Sequence, residues 1–265
     1  MRATGGRNAD AARELRNLNA AGRIEVVDID VDDDASVERG VDRARELVGT
    51  IDVLVNNAGI VSAGPIALAA ESVRREFETN VFGGLRMLRA VLPGMERAGS
   101  GLVVHISSGL GRFILPTAGG YCGSKFAMEA IMEAAAYELH PLGVEVAIVQ
   151  PGEYQTRFKA NGRQNAADAR SQWSAAEREQ SNRYREHFTV LDAAMQDRPT
   201  PPAQQVADAI VQLVRTPRGE RPLRVPLDPR EAGQQGLMGI NGALEQAQVQ
   251  LLQGNGIGHW TSLSQ

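Results

Sequence analysis

The chain has 265 residues, 43% hydrophobic and 23% charged, the balance of an ordinary globular protein with length enough for a real core. Its net charge is −4, from 28 basic and 32 acidic side chains; with no basic block, nothing favours a nucleic acid or an anionic membrane surface as partner. Cys122 is the one cysteine, which excludes an internal disulfide and a multi-thiolate metal site. No apolar run nears the ~18 residues of a membrane span, and Met1–Gly6 holds no apolar signal core. A single cytoplasmic domain over 1–265 is expected, with no metal site.

In chain order, residues 8–21 read as a polar helix, with Asn8 placed to cap it and Gly22 to stop it. Ile24–Ile29 is β-branched and reads as a strand ahead of an acidic turn, Asp28 to Asp34. From Ala35 the spacing of Val37, Val41, Ala44 and Val48 predicts a helix ended by Gly49. Ile51–Val55 reads as a short strand broken by Asn56-Asn57-Ala58-Gly59. A long helical stretch over 71–98 follows, then a strand from Gly101 to Ser108, a helix from Tyr121 to Leu139 and a strand from Val144 to Val149. Residues 153–200 are polar and contain no strand, so they read as an excursion over the sheet edge. A helix at 203–215 and a strand at Leu223–Val225 close the alternation, and 229–265 reads as a peripheral tail rich in Gly and Gln. Alternating strands and helices argue a parallel sheet covered on both faces.

Several residues carry chemistry. Tyr121 and Lys125 stand four apart on a helix, which puts phenol and ammonium on one face. A phenol titrates near ~10, and a nearby cation favours its ionised form. Ser108 ends a strand, where sites gather in parallel sheets; alone it reads as turn chemistry. Asn56–Gly59 also follows a strand end, and its small residues permit close backbone approach. Asn80 lies inside a helical stretch, where asparagine is a mediocre former. Pro151-Gly152, with Thr156 four beyond the glycine, is a further strand-end turn. His105 reads as a half-buried structural residue and Cys122 as a packed small one.

Together, Asp30-Val31-Asp32, Asn56-Asn57-Ala58-Gly59, Asn80, Ser108, Tyr121-x-x-x-Lys125 and Pro151-Gly152-x-x-x-Thr156 resemble the short-chain dehydrogenase/reductase family, from about Arg2 to the strand at 223–225. The resemblance implies a Rossmann-like, doubly wound parallel sheet and an NAD(P)-dependent oxidoreductase that interconverts a secondary alcohol and a ketone or aldehyde. By the same resemblance Tyr121 is the proton donor or acceptor, Lys125 lowers its pKa and holds the nicotinamide ribose, Ser108 orients the carbonyl, and Asn80 anchors a relay water. Asp30 and Val31 would lie at adenine, Asn56 to Gly59 along the adenosine ribose, and Pro151, Gly152 and Thr156 near the nicotinamide. Arg2, just past a strand, could accept a 2′-phosphate, which tilts the choice between NADP and NAD toward NADP.

The sequence departs from that pattern at its start. The glycine-rich turn after the family's first strand is absent: Thr4-Gly5-Gly6-Arg7 follows no strand, and Gly254-Asn255-Gly256-Ile257-Gly258 lies in the tail. Met1 falls near the end of the family's second strand, so the first strand, its turn and the first helix are missing from the sequence. The expectation is a longer natural chain; the alternative is a truncated, non-catalytic remnant that serves as an interaction module. An epimerase or dehydratase of the same fold is a third reading. Apolar residues run almost all round the 121–139 helix, which predicts a homodimer or homotetramer.

Overall fold

Short β-branched and apolar segments become six strands in the computed structural model, which describes residues 2–4, 24–186, 188–189 and 200–256. Strands β1 (Arg2–Thr4) and β2 (Val26–Asp28) pair in parallel as one sheet, so Gly5-Gly6, expected to follow no strand, does come directly after one. Strands β3 (Val53–Asn56), β4 (Gly101–Ile106), β5 (Val144–Pro151) and β6 (Arg224–Leu227) form a second, wholly parallel sheet in the order β3-β4-β5-β6. Register runs through its apolar centre, with Leu54 opposite Val103 and Val103 opposite Val146. Near-continuous apolar strands of this kind need cover on both faces, and helices supply it.

Among the described residues β2 and β3 do not pair with each other. The expected doubly wound sheet is therefore present as two pieces, parted where the family's first strand would lie. The outward side chain of Val55 is 40% exposed there. The helix expected over 8–21 lies outside the described residues.

Helix α1 (Asp34–Val48) starts where Asp33 accepts the Ser36 N–H at 2.5 Å, and stops at Gly49, whose φ of 77° suits glycine. Val37, Val41 and Ala44 are buried as their spacing predicts, while Val48 is 47% exposed. The 71–98 stretch resolves into α2 (Ala70–Phe77), one π-helical segment (Glu78–Phe82) and α3 (Gly83–Ala98). The π segment buries Thr79, Asn80 and Val81; such segments interrupt α-helices often at functional sites.

Helix α4 (Gly119–Leu139) begins two residues before the expected Tyr121. With α1 and α3 it covers one sheet face through Met128, Met132, Val91 and Met95. Helix α7 (Gln204–Arg215) covers the other, with Leu213 against Leu102, Val104 and Val149. The polar excursion carries α5 (Phe158–Ser171) and α6 (Ala175–Asn182). The stretch read as a peripheral tail is instead helical from Glu231 to Gly254 (α8), with Leu237, Asn241 and Leu252 buried. Its glycines lower helix propensity, but burial of one side outweighs that loss.

Candidate active site

The carboxyl end of β4 delivers Ser108. Its side chain caps the short turn Gly109–Gly111, accepting the Leu110 N–H at 3.1 Å, and its hydroxyl stands near enough to the Tyr121 phenol to pull its pKa down. Tyr121 and Lys125 project from the same face of α4's first turns. The Tyr121 ring is buried and tilts 57° against Phe158 with centroids 5.4 Å apart. Lys125 is also buried; its Nζ lies 5.7 Å from the Tyr121 ring centroid and donates to the Ile106 carbonyl at 2.8 Å. The spacing of three sequence-predicted residues is thus converted into one cluster.

Burial dominates the electrostatics. It pushes the Tyr121 phenol up to about 12, against a smaller opposing pull from the neighbouring Ser108 hydroxyl. The expectation that Lys125 lowers this phenol is not met here: the ammonium binds a backbone carbonyl rather than the phenol oxygen. Burial likewise brings Lys125 down to about 8, with the Glu129 charge opposing the fall. His105 is fully rather than half buried, and burial followed by the Lys125 charge holds its imidazole down to about 3, hence neutral. Neither of its ring nitrogens has a hydrogen-bond partner among the described residues. Cys122 is buried, and burial raises its thiol.

Asn80 is fully engaged by protein groups. Its Oδ1 accepts the Ile60 N–H at 2.7 Å, and its Nδ2 donates to the Ile60 carbonyl and the Ser124 hydroxyl, both at 2.9 Å. Ser124 donates in turn to the Tyr121 carbonyl at 2.8 Å. Asn80 therefore fixes the segment after β3 to the start of α4. Gly59 sits between them: a Cβ there would lie 3.3 Å from Asn80 Oδ1 and 3.7 Å from Lys125 Nζ.

The remaining expected positions surround this cluster unevenly. Asn57 and Ala58 are exposed and Gly59 half-buried at the end of β3. Asn56 is buried and turns the other way, donating to the Gly84 carbonyl at 3.1 Å, so its side chain ties β3 to α3. Asp30 is exposed beyond β2, and Val31 packs its methyl groups where a Cβ on Gly83 would stand. Pro151, the last residue of β5, and Gly152 after it are half-buried, with the Asp228 carboxylate filling the space beside Gly152. Thr156 is exposed and accepts the Phe158 N–H at 3.2 Å. Arg2 lies in β1, and only its backbone is described. No cluster of His, Cys, Asp or Glu able to hold a metal occurs among the described residues, and no described helix is long and apolar enough to cross a membrane.

Three neighbours of the site were not singled out in the sequence. Ser124 had a signal, since it lies between Tyr121 and Lys125 on the same helix. Glu76 had one too: it stands one turn before Asn80 and shares its face. It is 1% exposed, accepts the Ser62 N–H at 2.7 Å and has its carboxyl pushed up to about 7 by burial. Phe158 had none, because the excursion that carries it has no sequence pattern pointing back to α4.

Comparison with known proteins agrees with this arrangement. The family model described as short chain dehydrogenase matches residues 2–167. A 3-ketodihydrosphingosine reductase of Bacteroides thetaiotaomicron is 40% identical over 141 residues, covering 53% of this chain and 52% of its own. Human 17-beta-hydroxysteroid dehydrogenase type 1 is 41% identical over 156 residues, covering 58% and 46%. The chain thus spans about half the length of these curated relatives. Among solved structures, a short-chain dehydrogenase from Streptomyces avermitilis is 30% identical with a TM-score of 0.65, covering 93% of this chain and 86% of that one. One from Burkholderia cenocepacia, solved with NADP, is 25% identical with a TM-score of 0.60, covering 87% and 78%. With the family model spanning more than half of its length and the Ser108–Tyr121–Lys125 cluster assembled at the sheet's carboxyl edge, this chain belongs to the short-chain dehydrogenase family.

Proposed function

We propose that this protein is an NAD(P)-dependent oxidoreductase that interconverts a secondary alcohol and a ketone or aldehyde, with Tyr121 as the proton donor and acceptor. The observation that carries this reading is the convergence of Ser108, at the carboxyl end of β4, with the buried Tyr121 and Lys125 on one face of α4. Burial keeps the phenol protonated at neutral pH, the form required of an acid that protonates a carbonyl oxygen. Ser108 Oγ would hold that oxygen beside Tyr121 Oη. Lys125, still largely cationic at pH 7, would hold the nicotinamide ribose beside the phenol. The loop between Ser108 and Tyr121 carries Phe113, Ile114 and Leu115, Ile114 being 68% exposed; with Phe158 over the phenol, this favours an apolar substrate.

A nicotinamide cofactor, when bound, supplies or takes the hydride. The residues after β3 suit it: Gly59 leaves room beside Asn80 and Lys125 that a larger residue would fill. Tyr121, Lys125, Pro151, Gly152 and Thr156 would hold the nicotinamide end, while Asp30, Val31 and Asn57 to Gly59 would hold the adenosine. Arg2 would meet a 2′-phosphate, which together with the NADP-bound neighbour favours NADP over NAD. No glycine-rich strand-to-helix turn for the pyrophosphate occurs among the described residues.

The alternative reading is a non-catalytic interaction module. Binding decides between them. Quenching or enhancement of nicotinamide fluorescence, or a thermal shift with NADPH, supports the enzyme; no response with a well-folded protein supports the module.

A further inference from the structure

Below the Ser108 turn lies a cluster of charged groups that the proposed chemistry does not use. Glu129, eight residues after Tyr121 and four after Lys125, is on the same face of α4 and wholly buried. Its Oε1 accepts from Gln150 Nε2 at 2.9 Å, and its Oε2 accepts from Arg224 Nε at 3.1 Å. Arg112 Nη2 lies 3.1 Å from the same Oε2 as an ion pair without hydrogen-bond alignment. Arg112 also donates through Nε to Asn241 Oδ1 at 3.2 Å, which engages α8. Arg112 is the residue that closes the turn Gly109–Gly111 opened by Ser108.

A buried ion pair of this kind adds little stability over apolar packing of the same volume, because both charges have left water. What it has is direction. The turn is anchored at its start by the Ser107 N–H, which donates to the Val149 carbonyl at 2.8 Å. Its far end is anchored by Arg112, between Glu129 on α4 and Asn241 on α8. No slack is available in between: a Cβ on Gly111 would lie 2.8 Å from Ser107 Oγ and 3.0 Å from Glu129 Cγ. Since α4 also carries Tyr121, the same helix sets both the phenol and the far end of the turn that presents the serine hydroxyl.

We propose that Arg112 and Glu129 are positioning residues that fix the Ser108 hydroxyl against Tyr121. The proposal rests on the oxidoreductase reading and adds to it a device that acts only through Ser108. Small displacements of reacting groups cost rate steeply, up to about a hundredfold for 1 Å, so loss of the anchor acts on turnover more than on cofactor affinity.

The test is a double-mutant cycle on the protein as its gene encodes it, with kcat measured for a turned-over ketone and NADPH affinity read by fluorescence. Arg112→Met is expected to lower kcat by about tenfold or more, while cofactor affinity changes by less than about twofold. In a Ser108→Ala background the same substitution is expected to lower kcat by less than about twofold, because the group it positions is gone. Equal factors in both backgrounds would show a general structural role and overturn the proposal, as would no loss in either. Should Arg112→Met fail to fold, Glu129→Gln, which keeps the volume and the acceptor for Gln150, carries the same comparison, and Arg112→Lys is expected to recover part of the loss. If Ser108→Ala itself loses no turnover, the oxidoreductase reading of Ser108 fails first, a result distinct from failure of the anchor.

Discussion

Glu76→Gln isolates one buried charge. Gln keeps the side-chain volume and an oxygen that accepts the Ser62 N–H, now at 2.7 Å, and removes the ionisation. Burial raises the Glu76 carboxyl from an ordinary 4.5 to about 7, the Ser62 hydrogen bond opposing. The folded state then holds this proton more tightly than the unfolded state, so wild-type stability falls as pH rises from 4.5 through 7 and levels off above. That difference, at about 1.4 kcal/mol per pH unit, amounts to roughly 3 kcal/mol. Glu76→Gln lacks the slope, so the mutant is expected to match wild type near pH ~4.5 and to exceed it by up to about 3 kcal/mol near pH ~8. Urea unfolding at several pH values and fixed ionic strength measures this. A mutant-to-wild-type difference that stays constant across that range would refute the reasoning, and would mean that the N–H groups opening α4 beside Gly120 hold Glu76 ionised at no cost.

Other consequences are separately testable. Lys125→Met removes a buried ammonium lowered to about 8; wild type should gain stability relative to this mutant as pH rises from about 8 to about 10.5, where only the unfolded state still binds the proton, and a flat difference would contradict it. Gly120→Ala puts a Cβ 2.1 Å from a Glu76 carboxyl oxygen and 2.8 Å from Val73 Cγ2, and should cost about 1–3 kcal/mol in thermal or urea unfolding. The outer side of α4 leaves Ala130 and Ala134 exposed and Ile131 half exposed, so self-association through this helix is expected in sedimentation, and a monomer at tens of micromolar would reject it.

Local patterns and what they can carry explain which features were legible. The strands and most helices follow from β-branched runs and from spacing such as Val37, Val41 and Ala44, because one buried face imposes a period on the sequence. Ser108, Tyr121 and Lys125 were legible because strand ends and helical spacing converge on one point. The π segment at Asn80 was not, since the partners of the Asn80 side chain, Ile60 and Ser124, are remote in sequence. The helix Glu231–Gly254 was hidden by glycines whose cost is offset by burying Leu237 and Asn241. Glu129 shows the limit best: a glutamate on a helix reads as solvated surface until the fold brings Arg112, Gln150 and Arg224 around it.

The measurement closest to the central claim is the rate of NADPH oxidation with a panel of apolar ketones, wild type beside Tyr121→Phe, with cofactor binding followed in parallel. Tyr121→Phe keeps the ring packed on Phe158 and removes only the hydroxyl. The account predicts turnover by wild type, a loss of at least about a hundredfold in the mutant, and near-equal NADPH affinity for both. Turnover by Tyr121→Phe close to the wild-type rate would contradict it.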